Sequence, residues 1–327
     1  MGGLLPALCA LAVLALASLL VGSVPIPVAD AVASIVAFDP ADAEHIIVRD
    51  MRVPRTLLAV LVGGALGLAG ALIQALTRNP LAGPGILGVN AGAAFAVVLV
   101  ISIFGVTSLS AYVWAAFAGA LVAAAAVYGL STIGRGGADP VRMVLSGVAV
   151  GAVLTGLTST ITLVDETVFD HFRYWAVGSL AGRDIDVVRH VIVFVVCGIV
   201  LALALAGNLN ALALGEELAT AQGARVGRTR ALGVLAVTAL CGSATAAVGP
   251  IGFVGLVVPH IARWICGPDQ RWILTYSLLL GPTLTLAADI VARTIVVPAE
   301  LPAGVVTAFF GAPVLIALVR RTKLSQL

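Results

Sequence analysis

The chain contains 327 residues, of which 61% are hydrophobic and only 10% are charged, and its formal net charge is +2. So few polar side chains cannot cover a folded core with a wetted surface, which excludes a soluble globular protein. A mean hydropathy of +1.13 indicates instead a protein that lies in a lipid bilayer.

Ten apolar segments follow one another along the chain, and most are long enough to cross a bilayer core of about 30 Å as a helix. They span residues 4–24, 56–77, 85–105, 112–133, 143–163, 188–207, 231–249, 251–266, 273–292 and 303–320. The eighth is the shortest and follows Gly249 and Pro250, so the seventh and eighth form either two spans or one broken pair. We therefore predict an all-α polytopic membrane protein of about ten transmembrane helices, organised as one membrane domain over residues 1–327.

The charges predict how the chain is oriented. Basic residues are concentrated in the gaps after the even-numbered segments, whereas most acidic residues lie in the other gaps. Because basic loops are retained in the cytoplasm, and an even number of spans returns the chain to the same side, we predict that both termini are cytoplasmic. The first segment lacks the basic start of a cleaved leader, since the first basic residue is Arg49.

Enzymatic motifs are missing from the sequence. It contains no G-x-x-x-x-G-K-[ST] loop for nucleotide phosphates, and its only lysine is Lys323. None of its four cysteines shows C-x-x-C spacing, and the apolar segments contain no metal-ligand cluster or nucleophile–base set. We predict a transport pathway that is not an enzyme, that holds no cofactor and that depends on a partner for energy.

An ion-coupled secondary transporter is the alternative from another class, and it would need a titratable group inside the membrane. Asp289 is the only acidic residue well inside an apolar segment, and Arg293 follows it one helical turn later. This spacing permits a salt bridge, so structural pairing is the favoured interpretation of Asp289. Gln74, Thr158 and Ser159 either line a path or form hydrogen bonds between helices.

The gap at residues 208–230 has a polar helical pattern. Glu216 and Glu217 suit the positive end of a helix dipole, and Gly223 offers a stop. We predict a short helix, a glycine and a second short helix along the inner surface, where a partner would dock. The alternative is an ordinary amphipathic loop.

Glycines four residues apart predict close helix packing. Gly63-x-x-x-Gly67, Gly88-x-x-x-Gly92 and Gly147-x-x-x-Gly151 each place two glycines on one helix face, which lets backbones approach. With 36 glycines in the chain, such pairs also arise by chance, so they indicate a tight bundle and not a function.

Four stretches together resemble one family. They are RVPRTLLAVLVGGALGLAGALIQALTRNPLAGPGILGVNAGAA, RYWAVGSLAG, GEELATAQGARVGRTR, and CGSATAAVGPIGFVGLVVPHIARWICG with ADIVARTIVVPAELPAGVVTAFFGAPVLIALVRR. Their R-x-P-R, RNPLA-x-PG-x-LG, GP-x-x-F-x-GL-x-x-PH-x-AR and ELP-x-G-x-x-TA-x-x-GAP motifs are similar to FecCD-type permeases of ABC importers for iron-siderophores, haem and vitamin B12. The likeness covers nearly the whole chain after residue 48 and is strongest to the ferric enterobactin type.

This resemblance implies a type II ABC importer permease in the cytoplasmic membrane that moves a ferric siderophore, with haem or cobalamin as alternatives. It implies a second permease subunit, for which we expect a heterodimer in preference to a homodimer. Two cytoplasmic ATPases that bind ATP and magnesium, and an extracytoplasmic binding protein, would complete the assembly. No nucleic acid is implied.

Residue roles carry over where the motifs match. Arg52, Arg55 and Arg293 match arginines that dock the binding protein, although arginines at helix ends also anchor headgroups. The residues that match ATPase contacts are Glu216, Glu217, Ala219, Gly223 and Arg225. Asn79 and Leu81 match a narrowing at the inner end of the path, which Gln74, Thr158 and Ser159 would also line. A second constriction would fall at Asp139 and Pro140, where this chain lacks the small hydroxyl residues of some members.

Overall fold

The structure is a computed structural model that describes residues 3–106, 109–133 and 139–322. Within these ranges the chain forms α-helices and no β-strand. In chain order the helices are α1 (Leu4–Leu20), α2 (Val28–Val36), α3 (Ala43–Ile46), α4 (Val53–Thr77), α5 (Val89–Phe104), α6 (Leu109–Thr132), α7 (Pro140–Val164), α8 (Glu166–Ala176), α9 (Ile185–Ala204), α10 (Ala206–Ala213), α11 (Glu216–Ala221), α12 (Val226–Val248), α13 (Val254–Cys266), α14 (Gln270–Thr294) and α15 (Ala303–Thr322). A π-helical turn (Ile47–Arg52) and a 3₁₀ turn (Pro84–Leu87) flank α4.

Ten of these helices correspond to the ten predicted spans. Six are long and apolar enough to cross a membrane in the described part of the chain, namely α4, α6, α7, α9, α12 and α14. Four shorter apolar helices, α1, α5, α13 and α15, complete the set. The seventh and eighth spans are two separate helices, because residues 249–253 between them are not helical.

Helix α1 runs from one end of the bundle to the other. Gly3, just before α1, packs against Tyr276 and Ile265. Ser18, at the other end of α1, lies beside Thr56 and Arg293. We refer to the Arg293 end of the bundle as the outer end and the Tyr276 end as the inner end, following the predicted orientation.

Helix α4 lies at the centre of the bundle and packs through small residues. A Cβ added at Gly63 would lie 2.6 Å from the Gly281 carbonyl oxygen of α14, and one added at Gly67 would lie 2.5 Å from that of Ser277. At Gly70 the Gly255 carbonyl oxygen of α13 would be only 1.7 Å away. Glycine at these positions therefore lets three backbones meet, as the predicted tight bundle requires.

Helix α7 is covered very differently from α4. In the 18-residue apolar stretch of α7, 11% is buried within the subunit, whereas in the corresponding stretch of the helix that contains α4, 83% is buried. Among the residues of α7, only Met143, Gly147 and Thr158 are buried. Most of the surface of α7 is therefore left open by this subunit alone.

Three outer loops meet backbone to backbone. The Ser179 N–H donates to the Val248 carbonyl at 2.8 Å, and the Gly304 N–H donates to the Gly178 carbonyl at 2.9 Å. Gly249 stands so close to the Trp175 carbonyl that an added Cβ would lie 2.1 Å from its oxygen. The loops after α8, after α12 and before α15 thus form one junction, which we call the outer junction.

The inner surface differs from the sequence expectation in one respect. A short helix, α11, begins at Glu216, but no separate second helix follows Gly223, since Val226 already begins the long helix α12. A different short helix, α10, precedes α11 and is fixed to the bundle by Asn210. The Asn210 amide donates to Asp269 at 2.7 Å and accepts from the Gln270 N–H at 2.8 Å, which joins α10 to the start of α14.

Candidate functional site

The outer end of the bundle contains a cluster of ion pairs centred on a buried carboxylate. Asp289 is fully buried, and its Oδ1 atom lies 2.9 Å from Arg55 Nη2 while its Oδ2 atom lies 3.0 Å from Arg293 Nη2. The remaining side of Arg55 is bound to Glu300, with Nη1 and Oε2 2.6 Å apart. The predicted salt bridge between Asp289 and Arg293 is confirmed, and Arg55 and Glu300 extend it into a network that joins α4, α14 and the loop before α15.

Arg293 of this network and a further arginine, Arg52, also hold the outer end of α1. Arg293 donates to the Ser18 carbonyl at 3.0 Å and to the Ser18 hydroxyl at 2.7 Å. Arg52 donates to the Leu19 carbonyl at 2.7 Å and to the Val24 carbonyl. Ser18 was not identified from the sequence, although a single hydroxyl within an apolar helix is the kind of signal that marks such a contact.

All three arginines predicted to dock a binding protein are brought together here. Arg52 and Arg293 are only 5% and 2% exposed, so their guanidinium groups already have partners inside the subunit. Arg55 is slightly more open, with 11% of its side chain exposed. Their contact with a partner stays a prediction, and their contacts within the chain give them a structural role in addition.

These arginines line a cleft at the outer end together with a fourth one, Arg183, and with Glu300. Arg183 lies in the loop between α8 and α9. Burial lowers the pKa of the Arg183 guanidinium to about 10, and the neighbouring Asp184 opposes that shift. The sequence did not single out Arg183, because nothing in its local pattern indicates that a loop arginine is buried.

At the inner end, Gln74 joins two helices. Its Oε1 atom accepts from Arg263 Nη2 at 2.6 Å, and its Nε2 atom is 3.4 Å from the Leu256 carbonyl oxygen. Gln74 is therefore engaged between α4 and α13 in this conformation. Arg263 was not predicted as its partner.

The predicted inner narrowing follows directly after α4. Arg78 ends that helix in a left-handed conformation, with φ of 49°. Asn79 is exposed, and its side-chain oxygen accepts from the Leu81 N–H at 2.9 Å, a local turn that fixes the RNPLA segment. Leu81 is 38% exposed and so points away from the core.

The remaining predicted path residues lie on α7 or at its start. Asp139 is exposed just before α7 and Pro140 is its first residue, immediately after the undescribed residues 134–138. Thr158 is buried and donates to the Leu154 carbonyl at 2.8 Å, whereas Ser159 is exposed. The contacts place neither pair beside Asn79, so these residues form separate positions along α7 and not one cluster.

The predicted ATPase contacts divide into buried and exposed residues. Glu217, Gly223 and Arg225 are exposed, whereas Ala219 is fully buried. Glu216 accepts from Arg230 at 2.5 Å and lies 3.6 Å from Arg78, so it ties α11 to α12 and to the end of α4. 

Two leucines on either side of the break between α10 and α11 are exposed. Leu214 and Leu218 are 59% and 57% exposed. Their exposure gives the α10–α11 region an uncovered apolar patch beside the charged residues.

In the described residues, no group of three or more His, Cys, Asp or Glu side chains could hold a metal ion. The bundle has a cleft lined by four arginines at its outer end and short surface helices at its inner end.

The sequence model of the FecCD transport family matches residues 10–321. The chain belongs to the FecCD transport family. It is accordingly a transport permease and a multi-pass protein of the cytoplasmic membrane.

Individual members of the FecCD transport family align over most of their length. The chain is 52% identical over 317 residues to the ferric enterobactin transport system permease protein FepD of Escherichia coli strain K12, covering 97% of this chain and 94% of FepD. It is 40% identical over 304 residues to the Fe(3+)-citrate import system permease protein YfmD of Bacillus subtilis strain 168, covering 93% and 90%. A solved structure described as an inward-facing metal-chelate type ABC transporter matches with a TM-score of 0.85 and 28% identity, covering 97% of this chain and 98% of that one.

Proposed function

We propose that this chain is the permease subunit of an ATP-driven importer that moves a ferric siderophore from an extracytoplasmic binding protein across the cytoplasmic membrane. The observation that carries this proposal is the 52% identity to FepD over 97% of the chain. The arginine-lined outer cleft and the exposed inner helices are consistent with partners at opposite ends.

Energy for transport comes, in this proposal, from two separate cytoplasmic ATPases that bind ATP and magnesium. The chain itself has no phosphate-binding loop and needs no cofactor. The ATPase would dock on α10 and α11, where Leu214 and Leu218 offer apolar area and Glu217 and Arg225 offer charge. Buried Ala219 and ion-paired Glu216 would shape this surface from behind.

The binding protein would dock at the outer end. Arg55 is the most open of the three predicted arginines, and its Nη1 atom is held by Glu300, whose side chain is 28% exposed. A carboxylate from the binding protein would compete with Glu300 for this guanidinium, since both offer the same planar acceptor. Arg52 and Arg293 would contribute positive charge from beneath and hold α1 in place.

A second permease subunit would cover α7. Its poorly buried surface carries the hydroxyl of Ser159, which a partner helix would satisfy better than lipid does. We favour a partner of different sequence, as the likeness to the ferric enterobactin type suggests. Asn79, Leu81, Asp139 and Pro140 would narrow the inner end of the path between the two subunits.

An ion-coupled secondary transporter is disfavoured by the surroundings of Asp289. Its charge is already balanced by two guanidinium groups, so it is not a free group waiting for an ion. No contact in the described residues favours a second function.

The test is reconstitution of the permease pair with its ATPases in lipid nanodiscs, with the binding protein added. We expect ferric siderophores to stimulate ATP hydrolysis by the assembly and haem or cobalamin not to do so. Transport by this chain alone in vesicles under a proton gradient would contradict the proposal, as would stimulation by haem or cobalamin only.

A further inference from the structure

A second cleft lies at the outer end between α6, α8, the loop after α8 and the loop before α15, and it belongs to none of the predicted sites. It measures about 570 Å³, which is within the usual range for a small-molecule site. Aromatic side chains form much of its wall, namely Tyr112, His171, Tyr174 and Trp175. We call it the α6–α8 cleft.

Arg183 lines this cleft and lacks an anionic partner. Arg183 is only 8% exposed, and its Nε atom donates a long hydrogen bond to the Ser179 carbonyl at 3.4 Å. No carboxylate of the described residues lies within ion-pair distance of it. Because an unpaired buried cation is costly, its persistence here points to a missing acceptor.

The two nearest candidates for that acceptor within the chain are already engaged. Asp184, the next residue, accepts from the Val187 N–H at 3.1 Å and caps α9. Glu300, on the opposite wall, is bound to Arg55. Arg183 thus lines the cleft with no carboxylate of the described residues in ion-pair contact.

Two further donors in the same cleft have no acceptor. The Tyr112 hydroxyl and the Trp175 indole N–H are buried, and neither has a hydrogen-bond partner in the part of the chain that the structure describes. Buried donors are nearly always paired in folded proteins, so two orphans beside an unpaired arginine are unusual. All three point to one need, an oxygen acceptor with negative charge.

We propose that the α6–α8 cleft binds a catecholate ring of a ferric siderophore on its way into the path. This inference rests on the proposed function and names a site and a ligand class for it. A catecholate offers an aromatic face for Tyr174, whose side chain is exposed, and anionic oxygens for Arg183 and for the unpaired Tyr112 and Trp175 donors behind it. A hydroxamate offers oxygens but no aromatic ring, so it fits the same walls less well.

The test is direct binding to the assembled importer in nanodiscs, with two probes. One is the anionic ferric complex of unsubstituted catechol, and the other is the neutral ferric complex of acetohydroxamate, each labelled with radioactive iron. We expect Arg183→Gln to weaken catecholate binding by about 10- to 100-fold and Tyr112→Phe by about 3- to 10-fold, as loss of a charged and a neutral hydrogen bond predicts. Hydroxamate binding should change much less.

Arg189→Gln is the matched control, because it removes the same charge from an exposed pair at the outer end of α9. Equal weakening by Arg189→Gln would overturn the proposal, as would catecholate binding that neither Arg183→Gln nor Tyr112→Phe alters. Loss of binding-protein docking in Arg183→Gln with normal catecholate binding would also overturn it. Tyr112→Phe keeps the test valid if Arg183→Gln fails to assemble, since it deletes only a hydroxyl. If siderophores stimulate ATP hydrolysis by the wild-type assembly but the variants leave catecholate binding unchanged, the inference about this cleft is wrong and the proposed function still holds. If siderophores do not stimulate hydrolysis by the wild-type assembly, the proposed function itself fails.

Discussion

Arg293 lies one helical turn beyond Asp289 on α14, and the two side chains meet at 3.0 Å with almost no exposure to solvent. Arg55 reaches the same carboxylate from α4 and also pairs with Glu300, so Asp289 is the one carboxylate that both arginines share.

Replacement of Asp289 by Asn should therefore destabilise the subunit strongly. The change leaves Arg55 and Arg293 without their shared counterion, and the loss of one partner from a buried pair costs about 3–5 kcal/mol. Thermal unfolding of the detergent-solubilised subunit measures it. The control is Asp186→Asn, which breaks an exposed pair with Arg189 and should cost less than about 1 kcal/mol. Similar unfolding temperatures for both variants would show that the Asp289 cluster does not hold the helices together.

Replacement of Glu300 by Gln should strengthen docking of the binding protein. Arg55 Nη1 is held by Glu300 at 2.6 Å, and removal of that charge frees the guanidinium for a partner's carboxylate. A partly exposed pair contributes on the order of 0.5–1 kcal/mol, so the dissociation constant should fall by roughly 2- to 5-fold. Titration of the binding protein against nanodisc-embedded complex measures it.

Glu166→Gln is the control for that experiment. Glu166 is exposed at the start of α8, so its replacement removes the same charge from the outer surface. Arg55→Glu should have the opposite effect and weaken docking. If Glu300→Gln and Glu166→Gln behaved alike, competition between Glu300 and the binding protein would be excluded.

Replacement of Gly70 by Ala should disrupt the central packing. The new methyl group would lie 1.7 Å from the Gly255 carbonyl oxygen, which is backbone and has no rotamer to change. Overpacking of this kind costs about 1–3 kcal/mol or more. Gly129→Ala in α6 meets nothing within 4 Å and should be neutral or stabilising by up to about 1 kcal/mol. Unfolding temperatures of the two variants should differ in that order, and the reverse order would contradict the packing described here.

Acid should weaken the attachment of α10 to α14. Hydrogen bonds from the Asn210 amide and the Arg271 N–H hold the pKa of Asp269 below its ordinary value of 3.8. A carboxyl with a lowered folded-state pKa stabilises the fold above its ordinary pKa and loses that contribution as the pH falls through the lowered value.

Asp269→Asn should therefore be less stable than the wild type near neutral pH, and the difference should shrink below about pH 3.8. Unfolding followed as a function of pH measures both. Asp170→Asn serves as a control, because Asp170 forms an exposed pair on α8 and its loss should leave the acid response unchanged. A difference that does not vary with pH would contradict the assignment to the Asp269 charge.

Paired replacement of Leu214 and Leu218 by Ser should weaken ATPase binding. Both side chains are exposed in the subunit, and burial of a leucine at an interface contributes about 1.5–3 kcal/mol. Co-purification of the ATPase with the permease should fall at least tenfold, while the permease itself folds normally. Ala221→Ser, on α11 with Leu218, should leave co-purification unchanged. Retention of the ATPase by the double variant would place the docking surface elsewhere.

The membrane-spanning elements were predictable from the sequence because hydrophobic length alone sets them. The Asp289–Arg293 pair was also predictable, since one helical turn separates the two residues. Arg55 was not predictable as a third member, because its contact with Asp289 depends on how α4 and α14 are rotated against each other. The same reason hid Gln74 with Arg263, and Ser18 with Arg293.

The inner surface shows where a local pattern misleads. Gly223 does follow the end of α11, but only two non-helical residues separate it from Val226, where the long helix α12 begins, so no second short helix forms. Arg183 was invisible for a related reason. Its burial is produced by loops from three parts of the chain, and no spacing within any one of them records it.

The outer junction has a mechanical consequence. Where the loops after α8, after α12 and before α15 touch, no side chain lies between the backbones of Trp175, Gly249 and Gly304 and their neighbours. A layer of side chains would absorb small shifts by changing rotamers, and bare peptide groups have no such slack. When any one of these helices tilts during a transport cycle, the other two must travel with it as one solid piece.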